Sequence, residues 1–323
     1  MCTAISYNHN SHYFGRNLDL EYHYDTAVTI CPRNFPLIFR HTRPLNNHFS
    51  MIGMAYVNNN YPLFYEATNE HGLSIAGLNF PDNAVYYPMV KNMDNITPFE
   101  LIPWILGQCK TISDTRQKLS NLNLINENYS NNLQLSPLHW LISDHQSSLV
   151  LEPMASGIKI YENPIQVLTN NPPFPYHMHN IANYMNLTAE APVNRFSEHL
   201  NLKAYSRGMG AIGLPGDLSS ASRFIKAAFV LHNSISDDTE VSNVSQFFHI
   251  LDSVKQQEGC NKLGQGYEKT IYSSCCNITK GIYYYKTYSN SRITAINMHS
   301  TDLNCQNLQC FPLRYTQDIL REN

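Results

Sequence analysis

The apolar and polar positions of the chain fall first into strand-like runs. Cys2 to Tyr7 reads as a short strand, the polar cluster Asn8-His9-Asn10-Ser11 as a turn, and His12-Tyr13-Phe14 as the return strand of a hairpin. Such a hairpin carries Arg16 and Asp19 back towards the chain's start. Residues three apart on a regular strand point to opposite faces, so for both to reach Cys2 a bend or bulge is expected near Asn17-Leu18. The β-type pattern continues through Tyr24 to Pro32, where a proline closes it, and through Met51 to Val57 and Leu73 to Leu78. Asn58 to Pro62 reads as a loop.

Helical spacing enters at Thr97-Pro98-Phe99-Glu100, where Thr97 can cap, Pro98 suits the first helical position and Glu100 completes a capping box. Leu101, Ile102, Ile105 and Leu106 then form one apolar face. Ser113 is a candidate cap for a second helix to about Leu122, with Leu119 on its buried side, and Leu124 to Ser136 reads as a long loop. Strand patterns return at His139–Ser143, Ser148–Leu151, Gly157–Tyr161 and Ile165–Thr169. Asp217 opens a helix whose apolar residues Phe224, Ala227, Ala228 and Leu231 keep helical spacing, and Val244 to Val254 forms another. Three strands, Ile271–Cys276, Gly281–Thr287 and Ile293–Ile296, close the chain. Strands and helices come in blocks joined by hairpin-length turns, which predicts an α+β fold with antiparallel sheets. No linker, charge run or repeat divides residues 1–323, so one domain is expected.

Composition narrows the function classes. A formal charge of −3 with no polybasic or polyacidic block favours neither nucleic acid nor an anionic membrane. The start lacks a charged region followed by an apolar run, and no window reaches the roughly 18 apolar residues of a membrane span. A cytoplasmic location is therefore expected. None of the 8 cysteines forms a C-x-x-C pair, and the nearest approach to a metal motif, His177-Met178-His179, lacks a carboxylate or thiolate at ligand spacing and reads as a solvated loop. Serine elbows, phosphate loops and dinucleotide fingerprints are missing from the sequence. No metal or cofactor is expected.

Chemistry is concentrated at the start of the chain. If Met1 is removed, Cys2 carries both a thiol, with an ordinary pKa of about 8.5, and an α-amine of about 7.7 to 8.0 that can take the thiol's proton. N-terminal nucleophiles of this kind need no separate histidine. Two amides stand where apolar strands end, in Ala76-Gly77-Leu78-Asn79-Phe80-Pro81 and Val167-Leu168-Thr169-Asn170-Asn171-Pro172. Such amides make turns, and they also suit an oxyanion hole because they donate N–H without adding charge. Arg223 lies on an otherwise apolar helix.

Together these stretches, with Phe14 to Asp19, Asn69 to Leu73, Leu138-His139-Trp140, Gly213 to Arg223, Phe247 to Leu251 and Lys280 to Tyr285, resemble the choloylglycine hydrolase family over nearly the whole chain. The likeness is nearest to its bile salt hydrolases, with penicillin V acylases as a sister group. The resemblance implies an N-terminal nucleophile hydrolase fold, a four-layer αββα sandwich, and a homotetramer without cofactor. By the same resemblance Cys2 is the nucleophile and its α-amine the base, Arg16 stabilises the thiolate, Asp19 holds the α-amine, Asn79 and Asn170 serve the oxyanion, and Arg223 organises the polar network. Asn170 matches the family better than Asn171 because it directly follows Leu168-Thr169; neighbouring strand residues point opposite ways, so one of the two should face Cys2. An amide rather than a tyrosine at Asn79 fits the bile salt branch. Leu18, Tyr65, Leu133 and Leu138 are the expected apolar wall for a steroid. The implied reaction is hydrolysis of the amide joining a bile acid to glycine or taurine. Penicillin V or another N-acyl amide is the alternative substrate, and a silent steroid or lipid carrier the alternative function.

Overall fold

The computed structural model describes every residue of the chain except His23. Two antiparallel sheets lie face to face. The first has the spatial order Val167–Leu168, Cys2–His9 (β1), Ser11–Leu20 (β2), Lys269–Asn277, Ile282–Thr287, Thr294–Asn297. The second runs Gly157–Glu162, Ser148–Met154, Leu138–Ser143, Ser74–Asn79, Tyr61–Asn69, Met51–Asn58, Thr26–Cys31, Gln309–Pro312. β1 and β2 pack across the interior on the Ser74–Asn79 strand. Helices Ser220–Asn233 and Glu240–Asp252 cover the outer face of the first sheet, and Leu101–Leu106 covers that of the second. This is the expected αββα layering.

Local sequence accounts for these elements. The Ser220–Asn233 helix starts where the Ser219 hydroxyl accepts the Ser222 N–H at 3.4 Å, and its Phe224, Ala227, Ala228 and Leu231 are buried as their spacing predicts. Phe224 and Phe247 are fully buried between helices and sheet, each worth roughly 2–3 kcal/mol of transfer free energy. A second cluster, with Trp140, Leu101, Ile105 and Leu106, fills the space under Leu101–Leu106. Among the described residues no helix is long and apolar enough to cross a membrane.

Several expectations need correction. Tyr61 and Pro62 belong to a strand, not a loop: Asn59 and Asn60 alone make the turn, both at positive φ (48° and 59°), a conformation asparagine tolerates well. The second helix is capped by Thr111, whose hydroxyl accepts the Asp114 N–H, and ends at Leu119. His177-Met178-His179 lies in a helix, Phe174–Asn180, with His177 buried. Nor does β2 bend. Its pairing with β1 is unbroken from Cys2↔Leu18 to His9↔Ser11, and the irregularity sits on the neighbouring strand, at Ile271 between Thr270 and Tyr272.

Candidate active site

Cys2 opens β1 at the seam between the first sheet and the Ser220–Asn233 helix. Because β2 is regular, Arg16 and Asp19 leave it on opposite faces and approach Cys2 from two sides. Arg16 points inward, fully buried, and its Nη1 donates to the carbonyls of Gly77 at 2.5 Å and Tyr65 at 3.2 Å on the second sheet. Asp19 points towards the helix layer, where Oδ1 accepts the Thr270 hydroxyl at 2.6 Å and Oδ2 stands 4.0 Å from Nη1 of Arg223. Both residues keep one buried polar atom without a hydrogen-bond partner, Nη2 of Arg16 and Oδ2 of Asp19.

Arg223 gathers the rest. Its Nη1 donates to the carbonyl of Cys2 and to the Thr3 hydroxyl, each at 2.6 Å, Nη2 donates to Oδ1 of Asn170 at 2.8 Å, and Nε to the Leu218 carbonyl at 3.0 Å. Oδ1 of Asn170 also accepts the backbone N–H of Cys2 at 2.8 Å. The Asn170 amide nitrogen donates to the carbonyl of Asn79 at 2.6 Å, which ties the two strand-end amides together. Asn171 turns away and donates to the Pro81 carbonyl at 2.7 Å. Asn170 is thus the one of the pair that faces Cys2.

A frame of buried polar groups holds Asn170. Ser220 accepts its N–H at 2.8 Å, His177 donates to its carbonyl at 3.0 Å, and His139 donates to the preceding carbonyl of Thr169 at 2.9 Å. These supports were not legible in the sequence, since a serine and two histidines from three distant segments meet only through the fold.

Burial governs the charges. It pushes the Asp19 carboxyl above its ordinary range, against the pull of Arg223, the terminal ammonium, Thr270 and Arg16. It also lowers Arg223, opposed by Asp19 and Cys2. At Arg16 burial likewise works against the charge, but Cys2, Tyr272, Glu66 and Asp19 outweigh it and raise the guanidinium further. Met1 extends β1 by one residue: its carbonyl accepts the Asp19 N–H at 3.0 Å, its ammonium donates to the Asp19 carbonyl at 2.9 Å and pairs with Glu268. Glu268, buried and also held by Asn261 at 2.6 Å, is another site residue the sequence did not single out.

Cys2 lines a cleft of about 1240 Å³, open to solvent, together with Met1, Arg16, Asn79, Leu18, Tyr65 and Leu138. A second pocket of about 850 Å³ adjoins it and shares Tyr24, Tyr65, Gly77, Ser136 and Leu138; Leu133 lines this one and not the first. Among the described residues no group of three or more His, Cys, Asp or Glu side chains is placed to hold a metal ion.

Residues 2–311 match the family of linear amide C–N hydrolases, choloylglycine hydrolase family. The bile salt hydrolase/transferase of Lactiplantibacillus plantarum is 52% identical over 315 residues, covering 97% of each chain. A solved conjugated bile acid hydrolase from Clostridium perfringens superposes with a TM-score of 0.92 at 32% identity, covering 100% of both chains. The penicillin V acylase of Agrobacterium tumefaciens, at 16% identity and a TM-score of 0.75 over 96% of this chain and 90% of that one, shares the fold. A thiol at position 2 on a sandwich of two antiparallel sheets, and likeness along the whole length, make this chain a member of the choloylglycine hydrolase family.

Proposed function

We propose that the protein hydrolyses the amide bond of glycine- or taurine-conjugated bile acids, with Cys2 as the mature N-terminal nucleophile of a single domain spanning residues 1–323. The observation that carries the mechanism is the pair of buried atoms without a hydrogen-bond partner on either side of Cys2. Nη2 of Arg16 is a donor suited to a thiolate, and Oδ2 of Asp19 an acceptor suited to an α-ammonium. Leaving either unpaired costs about 1–3 kcal/mol, more for a charged group, so each is better satisfied by a mature Cys2 than by the precursor.

Once Met1 is gone, the Cys2 sulfur attacks the substrate carbonyl and its proton passes to the α-amine. The tetrahedral oxyanion is received by the Asn170 amide and Asn79, and for this the Asn170 amide nitrogen must leave the Asn79 carbonyl. The α-amine returns the proton to the leaving nitrogen, the C–N bond breaks and a thioester remains. Water then attacks the thioester, the α-amine takes a proton from that water and returns it to sulfur, and the acid departs. Arg223 keeps Cys2 and Asn170 in register throughout.

The steroid body fits the apolar pocket lined by Tyr65, Leu133 and Leu138, which meets the cleft at Cys2 beside Leu18. The names of the relatives support this substrate class. The eight free thiols suit a reducing cytoplasm. An exposed arm with Met185, Val193, Phe196 and Tyr205 each more than three-quarters exposed supports assembly into a homotetramer.

Purified protein incubated with glycocholate, taurocholate and penicillin V tests the reading. Release of glycine or taurine, abolished by Cys2→Ser, is expected. Cleavage of penicillin V alone would reassign the substrate, and tight bile acid binding without product would make the protein a carrier. Intact mass should show the loss of Met1; a folded, active protein that keeps it would overturn the N-terminal mechanism.

A further inference from the structure

Among the described residues Glu66 is the one carboxylate buried between the two sheets beside Arg16, and the reaction as described leaves it without a part. It stands on the second sheet, 2% exposed, and accepts three hydroxyls from the first: Tyr272 at 2.7 Å, Tyr283 at 2.5 Å and Ser274 at 3.0 Å. Its Oε2 lies 3.9 Å from Nε of Arg16. Burial pushes the Glu66 carboxyl above its ordinary range, and the Arg16 guanidinium with the three converging hydroxyls pulls back towards the ionised form.

The backbone builds this arrangement. Between Met54↔Glu66 and Ala55↔Phe64 the pairing of the Met51–Asn58 and Tyr61–Asn69 strands slips by one, leaving Tyr65 as the extra residue of a bulge. The Tyr65 carbonyl, released from regular pairing, accepts Nη1 of Arg16, and Glu66 is aimed at the first sheet. Gly77, on the adjacent strand, holds the same nitrogen. Arg16 is therefore clamped by two carbonyls whatever the charge at Glu66, with Nη2 left without a partner.

We propose that Glu66 is a positioning residue, the counter-charge that divides the Arg16 guanidinium between itself and the Cys2 thiol and so sets how readily that thiol gives up its proton. The charged and titratable groups facing Arg16 are Cys2, Tyr272, Glu66, Asp19, Tyr65 and the chain's amino group; those facing Glu66 are Arg16, Tyr272, Tyr283, Tyr65 and Cys276. Arg223 faces Cys2 and Asp19 from the helix layer. Among these Glu66 is the carboxylate that stands 3.9 Å from Nε of Arg16. Without it the whole guanidinium charge acts on Cys2, and the thiolate forms at lower pH. The cost of a thiolate stabilised too far is weaker nucleophilicity, since basicity and nucleophilicity fall together.

The inference rests on Cys2 being the nucleophile. The test is the pH dependence of iodoacetamide alkylation in protein freed of Met1, read on the Cys2 peptide by mass so that Cys260, Cys305 and Cys310 do not interfere. Glu66→Gln keeps the shape and one acceptor oxygen, its amide nitrogen donating where the second oxygen accepted, and should move the midpoint down by about one pH unit. Glu66→Asp, which keeps the charge but draws it back by one methylene, should move it down by less. If Glu66→Gln does not fold, the Asp variant carries the test alone. A midpoint that stays in place or rises, with near-ultraviolet circular dichroism unchanged, overturns the inference. The alkylation curve can be read in a protein that fails to cleave bile salts, so its outcome is separate from that of the bile acid assay.

Discussion

Asn170 and Asn171 are adjacent amides with opposite surroundings, and the contrast gives a test at the scale of one residue. Asn170 contacts the Cys2 N–H, Arg223 and the Asn79 carbonyl, whereas Asn171 contacts the Pro81 carbonyl. Asn170→Ala should lower kcat by roughly 10²–10³-fold, as loss of an oxyanion donor does elsewhere. Asn171→Ala should leave kcat unchanged and cost about 1 kcal/mol of stability in a urea titration, the worth of one hydrogen bond. Equal losses of activity would remove Asn170 from the site. The sequence already separated the two on strand alternation and motif position. It could not reveal Glu66, Glu268, Ser220 or the buried histidines, because a polar residue inside a strand or helix looks the same on paper whether its partner is water or a residue 200 positions away.

At the scale of elements, the hairpin at the start of the chain was legible as a hairpin, but its geometry was misjudged. The expected bend in β2 rested on bringing Arg16 and Asp19 to one face. In the structure Cys2 stands at a seam between layers, so residues on both faces reach it and the strand stays regular. The slip in register falls on Ile271 instead, in a strand whose sequence carries no sign of it. β2 is also held close to that strand at Gly15, where an added Cβ would stand 2.1 Å from the Ser274 carbonyl oxygen. Gly15→Ala should force the two strands apart and destabilise the protein by about 1–3 kcal/mol or more, visible as a fall in the denaturant midpoint. An unchanged midpoint would show that the sheet yields there at no cost.

The far end of the same hairpin has a pH-dependent stability. His12 is buried, with its Nε2 2.5 Å from the Ser6 hydroxyl, and burial, aided by His145 and opposed by Asp144, lowers its pKa to about 4. The folded state therefore holds His12 neutral where the unfolded chain, with an ordinary value of about 6.5, binds a proton. Its contribution is fully present above pH 6.5 and is lost as pH falls towards 4, about 3 kcal/mol in all. Urea midpoints measured from pH 7 to pH 4.5 should fall less steeply for His12→Gln than for the parent. Parallel curves would place the acid sensitivity elsewhere.

On the scale of the whole molecule, the blocks of strands and helices predicted the antiparallel α+β class and the family resemblance the αββα layering, whereas nothing in the sequence pointed to the exposed arm. Residues 188 and 210 close its base, the Thr188 N–H donating to the Gly210 carbonyl at 3.1 Å, and Gly210 fits only because it lacks a side chain: a Cβ would meet the Glu190 carbonyl oxygen at 2.1 Å. Beyond that base Val193, Phe196, Leu202 and Tyr205 stand in solvent, none of them packed into either core cluster. An isolated subunit gains nothing from holding such side chains out, and a stable interface of at least roughly 1,000 Å² would bury them. If the proposed homotetramer forms through this arm, sedimentation should show a tetramer, and Phe196→Ser with Tyr205→Ser should shift it to smaller species in a concentration-dependent way. Because these residues line neither Cys2's cleft nor the adjoining pocket, kcat/KM of the smaller species should stay near that of the parent. A monomer in the parent protein at micromolar concentration would leave the arm free for some other contact, and a collapse of kcat/KM on dissociation would mean that a neighbouring subunit helps to form the cleft.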